Sequence, residues 1–308
     1  MKNKPSPILV TGGHRTGTTW VGRMLTASGE VAYISEPLNV LRRPGVMQAP
    51  VEHWYTYICY ENESAYLTAL RQTLAFRYHW GAELLSLRSR HDALRMGRDW
   101  GTFLRGRAYH LRPLLKDPFA VFSAPWFAGR LGCQVVITVR HPAAFVSSLK
   151  RFNWNFQLED LLAQPLLMRD RLENYRAEME AMPSEDLIGR ASLLWKMIYR
   201  VVDEYHHRYP EFQIVCHEDL SLDPLRGFRM LYSSLDLNFT PQVQITIQNS
   251  SSSENPTELP ASAVHAYHLD SLANLNNWKH RLGPDEIDRI HQITTGVVEC
   301  FYPDSSWE

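Results

Sequence analysis

The chain has 308 residues, 44% of them hydrophobic and 21% charged, an ordinary balance for a globular protein with a sizeable core. Its formal net charge is −1, which excludes the basic footprint of a general nucleic-acid binder. Four scattered cysteines, Cys59, Cys133, Cys216 and Cys300, form no Cys-x-x-Cys pair. A zinc site is therefore not expected, and a reducing, cytoplasmic setting is. No apolar run is long enough to cross a bilayer, and Ile8-Leu9-Val10 is too short for the core of a secretory leader.

Pro7-Ile8-Leu9-Val10 reads as a short buried strand, and Trp20, Val21, Met24 and Leu25 recur at helical spacing. Between them lies Thr11-Gly12-Gly13-His14-Arg15-Thr16-Gly17-Thr18-Thr19-Trp20. A strand, a glycine-rich turn and a helix in this order aim unpaired N–H groups and the positive end of a helix dipole at one point, which suits a phosphate. Thr18 and Thr19 add hydroxyl donors. The spacing Gly12-x-x-x-x-Gly17 copies the nucleotide-triphosphatase loop, but Thr18 stands where that loop carries lysine. The loop's only cation is Arg15. A later strand, Gln134 to Val139, ends in Arg140 where a triphosphatase would place a magnesium-holding aspartate. The expected ligand is thus of phosphate type, bound without a metal.

Further along, Val31 to Ser35 reads as a second strand leading into Glu36-Pro37-Leu38. Residues 53–80 are rich in aromatics, including Trp54, Tyr55, Tyr57 and Trp80. These rings either line an acceptor pocket or pack amphipathic helices on the core, and the second reading is preferred. Residues 88–112 carry seven arginines, read as a solvated helix face in preference to an anion-binding surface. A third strand near 113–116 ends in Lys116. After Arg140, Pro142 suits a first helical position, and Ser148 lies on that helix, eight residues beyond Arg140. Arginine and serine together suit a second phosphate; the alternative is a lone strand-end arginine in a surface ion pair. A fifth strand falls near 212–216. The Ser- and Pro-containing stretch from Gln248 to Pro260 reads as a long loop of the kind that often serves as a lid. Beyond it, Trp278 offers a face for a base, with Lys279 and Arg281 adding charge. The alternative for Trp278 is to anchor the next helix. His265 and His268 have no partner at ligand spacing, so no metal is expected there.

Strands alternating with helical patterns point to an α/β fold with a central parallel sheet of about five strands covered by helices on both faces. Ligands of such sheets bind at the carboxyl ends of the strands.

These pieces, in this order, resemble the sulfotransferases that use 3′-phosphoadenosine-5′-phosphosulfate (PAPS). His14-Arg15-Thr16-Gly17-Thr18-Thr19-Trp20 is similar to their 5′-phosphosulfate loop, with Arg15 in place of a lysine. Arg140 and Ser148 resemble their 3′-phosphate motif, and Trp278-Lys279 their C-terminal Trp-Lys element. Cys216 to Leu220 is similar to their Tyr-Glu-Asp-Leu strand end. Val31 to Leu38 looks like the second strand and Glu-Pro-Leu turn of the carbohydrate branch. Pro118 stands where the phenol and steroid branch has its histidine base.

The resemblance implies a three-layer P-loop-like fold in one domain, 1–308, with helical insertions at about 40–112 and 150–210 and a cofactor-covering loop at about 248–282. It implies that the two strands bearing the anion loops are neighbours. It implies PAPS as donor, no metal, 3′-phosphoadenosine-5′-phosphate as product and a soluble bacterial relative of the anchored carbohydrate enzymes. The implied cofactor-binding residues are Gly13, His14, Arg15, Thr16, Gly17, Thr18, Thr19, Trp20, Arg140, Ser148, Trp278 and Lys279. Glu36 is implied as general base, with Arg15 and Lys116 stabilising the leaving phosphate oxygen. The alternative for Glu36 is to cap its own turn or pair with Arg42 or Arg43. Rival readings of the chain are a P-loop small-molecule kinase and a non-catalytic nucleotide-binding protein. The acceptor is open among carbohydrate, lipid and other small molecules, and the residues carry no signal for an oligomeric state.

Overall fold

Short runs of apolar, largely β-branched residues become strands where both faces can be buried. The computed structural model describes residues 5–41, 43–258 and 268–307. It contains β1 (Ile8–Gly12), β2 (Val31–Ser35), β3 (Arg112–Lys116), β4 (Gln134–Val139) and β5 (Gln213–Cys216). They form one parallel sheet in the order β2-β3-β1-β4-β5. The expected strands match within one residue at each end, and the two anion loops do leave neighbouring strands, β1 and β4.

The period of two along each strand splits the core into two layers. Leu9, Val135, Ile137 and Val139 face one cluster, built with Phe145 and Leu149 of the Pro142–Arg151 helix and Trp195 and Tyr199 of the Leu187–Arg208 helix. Ile8, Val10 and Val136 face the other, with Val21, Met24 and Leu25 of α1 (Thr18–Thr26) and Phe228, Leu231 and Tyr232. Helices fill both long connections: Leu67–Leu74, Trp80–Ser86 and Arg90–Ala108 lie between β2 and β3, and Leu187–Arg208 precedes β5.

One local expectation needs correction. The stretch from Gln248 begins inside a helix, Pro241–Ser251. Thr240 caps it by accepting from the Val243 N–H (3.3 Å), and Val243 and Ile247 supply a narrow buried stripe that its many polar residues mask in the sequence. Residues 259–267, with Pro260 and His265, lie outside the described residues, as does Arg42. The aromatic segment mostly packs inward as preferred, with Tyr55, Tyr57 and Phe76 buried.

Gly12 ends β1 with φ of 144°, and a Cβ there would sit 2.4 Å from the Thr138 carbonyl oxygen of β4. Gly12→Ala should therefore lower stability by more than about 2 kcal/mol. Gly97→Ala, in an exposed helical position where a Cβ meets nothing within 4 Å, should raise it by roughly 0.5–1 kcal/mol. Urea unfolding midpoints of the two variants check both signs.

Candidate active site

The β1–α1 loop is fixed from below by hydroxyl groups. Thr16 Oγ1 donates to the Gly13 carbonyl (2.5 Å) and pairs with Thr138 Oγ1 (2.8 Å). The Gly13 N–H donates to the Tyr199 hydroxyl (3.4 Å), and the His14 N–H to the Tyr55 hydroxyl (3.2 Å). These amides and the Thr16 hydroxyl are therefore engaged within the fold. The open donors lie further on: Gly17 (φ 90°) turns the chain into α1, whose first N–H groups have no intrahelical partner. The first bond inside this turn runs from the Val21 N–H to the Gly17 carbonyl (3.0 Å).

The imidazole of His14 packs among aromatic rings. It is 2% exposed, and its Nδ1 meets the Tyr55 hydroxyl at 2.7 Å. Phe119, Phe145, Trp154 and Phe156 surround it. Burial, helped by the charge of Arg15, pulls it down to about 3, so it is neutral near pH 7.

Arginines gather at the ends of β1 and β4. Arg15 sits at positive φ (66°), donates from Nε to Ser148 Oγ (3.2 Å) and lies over the Phe152 ring (4.3 Å). Arg140 Nη1 donates to the Arg15 carbonyl (3.0 Å). The Trp195 indole N–H holds the Arg140 carbonyl (2.8 Å). Burial, then the charges of Arg140 and Arg151, pull Arg15 down to about 10. Burial also pulls Arg140 down, against the opposing effect of Glu218. Arg140 Nε is buried and has no hydrogen-bond partner. Crowded, half-buried guanidiniums, one with an orphaned donor, fit an anionic ligand bearing phosphate oxygens. The sequence reading gave Arg15 one phosphate and Arg140 with Ser148 another; in the structure the three side chains share one cluster.

Across the sheet, Glu36 follows β2 at positive φ (49°). Its N–H donates to the Lys116 carbonyl at the end of β3 (2.7 Å). Lys116 Nζ donates to Glu36 Oε1, and Asn39 Nδ2 to Oε2 (2.8 Å). Arg43 does not serve Glu36: it pairs with Asp99 (2.5 Å) and donates to the Ser35 carbonyl (2.5 Å). Buried Asp117 accepts from the Leu38 N–H (2.6 Å) and the Phe119 N–H (3.0 Å), tying the Glu36 turn to β3. Burial pushes its carboxyl up to about 7.

One cavity of about 390 Å³ joins these parts, within the range of small-molecule sites. His14, Arg15, Gly17, Thr18, Thr19, Trp20, Glu36, Lys116, Arg140 and Ser148 all line it. Gly13, Thr16, Trp278 and Lys279 are not among its lining residues. Trp278 is 4% exposed and stacks on His141 (centroids 5.4 Å, planes 20° apart), so its face is covered by the fold. Lys279 is exposed, with its ammonium over the Trp278 ring at 5.5 Å. The C-terminal contribution to the cavity comes instead from Arg281, whose guanidinium donates to Glu258 (3.0 Å), a carboxylate also approached by Arg151 (3.4 Å).

Sequence reasoning missed His217, Ser221, Ser250, Ser271 and Asn274 on the cavity wall. His217 packs so closely on the loop that a Cβ on Gly17 would lie 2.5 Å from its ring. Ser250 accepts from the Trp20 indole N–H (3.0 Å). Only the position of His217 just after β5 carried a signal in the sequence.

His14, His141 and His217 are each pulled down to about 3, chiefly by burial. A depressed histidine contributes stability above its unfolded value of about 6.5 and loses it as pH falls toward the folded value. Asp117, raised to about 7, acts in the opposite sense. Between pH 6 and 4 the stability of His14→Gln should fall less steeply than that of the parent, by up to about 1.4 kcal/mol per pH unit. Urea unfolding across that range checks this; parallel curves would mean His14 is not held neutral.

A model of the sulfotransferase family matches residues 7–241. Over 197 residues the chain is 30% identical to carbohydrate sulfotransferase 5 of Mus musculus, covering 61% of this chain and 43% of the relative. To carbohydrate sulfotransferase 5 of Homo sapiens it is 26% identical, with 61% and 42% covered. The chain thus spans less than half the length of these relatives. It also superimposes loosely on the sulfotransferase domain from the curacin biosynthetic pathway, at 15% identity and a TM-score of 0.46, over 94% of this chain and 96% of that one. With well over half of its length matched by the family model, this chain belongs to the sulfotransferase family.

Proposed function

We propose that the chain transfers a sulfuryl group from PAPS to an acceptor hydroxyl. The observation that carries this reading is the pairing of two features in one cavity: a half-buried arginine cluster and, across it, a carboxylate held by a lysine. When bound, PAPS supplies an activated sulfuryl group on a 5′-phosphate that departs with negative charge. Arg140 and Ser148 are suited to the 3′-phosphate, the α1 N-terminus with Thr18 and Thr19 to the 5′-phosphosulfate. Arg15, touching both regions, offsets charge on the departing phosphate.

Glu36 is the base in this reading: it takes the proton of the acceptor hydroxyl as that oxygen becomes nucleophilic. Lys116 aims the Glu36 carboxylate through its ammonium, and so acts through Glu36 as well as through its own charge. Both Arg15 and Glu36 occupy left-handed backbone conformations, a strain that structures retain where geometry matters for chemistry. The cavity continues from Glu36 along Asn39, Leu41, Trp54 and Phe119, which leaves room for an acceptor and favours an enzyme over a nucleotide-binding scaffold. The chain's likeness to carbohydrate sulfotransferases and the Glu36-Pro37-Leu38 turn support a sugar hydroxyl as acceptor.

Ser148→Ala should weaken binding of adenosine 3′,5′-bisphosphate by about 1.5–3 kcal/mol and leave adenosine 5′-phosphate nearly unaffected. Titration calorimetry with the two ligands checks the assignment; equal losses would move the 3′-phosphate elsewhere. Glu36→Gln should bind the bisphosphate as the parent does yet lose turnover by at least about 100-fold, read as bisphosphate release from PAPS with a panel of sugar and lipid alcohols. Full turnover in that variant would require another base.

A further inference from the structure

We propose that the solvent face of the Arg90–Ala108 helix docks on a lipid surface carrying anionic headgroups. Ser89 caps this helix, and its inner side is fully engaged. Phe103 packs on Phe76 and Tyr78, Asp99 pairs with Arg43, and Arg95 pairs with Asp92 and Glu83. Its two acidic residues are therefore both neutralised.

At about 100° per residue, Leu94, Gly97, Gly101, Leu104 and Ala108 fall on one stripe opposite Phe103 and Gly106, with Trp100 at its border. Leu94, Trp100 and Leu104 are 68%, 51% and 54% exposed. A merely solvated helix has no use for these three on its outer face. Arg90, Arg98, Arg105 and Arg107 are exposed on or beside the stripe, and no carboxylate pairs with them among the described residues. The preceding helix, Trp80–Ser86, exposes Trp80, Leu84 and Leu85.

An apolar stripe flanked by unpaired arginines, in a chain of net charge −1, matches a helix lying in a membrane interface. A second copy of the chain is a poor match: it would set arginines against arginines, with no free carboxylate on the helix to answer them. The placement also bears on the site. Arg43 ties the segment after Glu36 to this helix, and Leu41, 79% exposed, lines the cavity. One ion pair thus connects the helix that bears the docking face to the acceptor end of the cavity.

The test is sedimentation of the full chain with phosphatidylcholine vesicles, with and without phosphatidylglycerol. Anionic vesicles should bind it roughly tenfold or more over neutral ones, and added salt should weaken this. The double variants Trp100→Ser with Leu104→Ser, and Arg98→Gln with Arg105→Gln, should each lose at least about tenfold in partitioning while keeping parental affinity for adenosine 3′,5′-bisphosphate as proof of folding. Equal binding to both vesicle types, or full binding by both variants, overturns the proposal. So does self-association by the parent in light scattering that the Trp100/Leu104 variant abolishes, because the face would then be covered by a second copy.

Discussion

Holding the half-buried guanidiniums of Arg15 and Arg140 close together is the constraint around which the rest of this structure is arranged. Like charges in a low-dielectric site repel, and each also gives up hydration. Both guanidiniums are accordingly pulled below their ordinary value, burial being the larger cause. Their contacts include neutral donors and acceptors: Ser148, the Arg15 carbonyl, and the Trp195 indole on the Arg140 carbonyl. Glu218 stands behind, accepting from the His141 N–H (3.0 Å) and the Tyr302 hydroxyl (2.5 Å). An anion bound here adds its binding free energy to the stability of the fold, so ligand binding and fold stability are linked.

Sheet topology makes the meeting possible. Because β1 lies between β3 and β4, its loop faces the β4 end on one side and the β3 end on the other. Arg140 arrives from β4, and Lys116 from β3 brings Glu36 with it. The cation cluster and the carboxylate thus stand on opposite flanks of one strand, joined by a single cavity. Asp117 and its two backbone hydrogen bonds keep the Glu36 turn from relaxing out of its left-handed conformation.

The parts legible in the sequence were those set by local pattern. Apolar runs marked the strands, glycines marked the β1–α1 turn, and arginine after a strand marked the second anion position. What escaped depended on contacts far apart in the chain. The resemblance implies Thr16 as a cofactor-binding residue, but Thr138, 122 positions away, takes its hydroxyl. Trp278 reads as a platform for a base until His141 covers its face. Arg43 reads as a partner for Glu36 until Asp99 of the distant helix claims it. Arg281 was visible beside Lys279, but nothing local shows which of the two turns inward. The arginine-rich segment reads as a solvated face because only the folded helix reveals leucines and a tryptophan among the outward positions.

Calorimetric comparison of adenosine 3′,5′-bisphosphate with ATP, each with and without Mg²⁺, measures the arginine cluster's purpose most directly. The account predicts that the bisphosphate binds tightly with no need of the metal, and that replacing Arg140 with alanine removes most of that affinity. Preferential binding of ATP only when Mg²⁺ is present, unaffected by loss of Arg140, would contradict it.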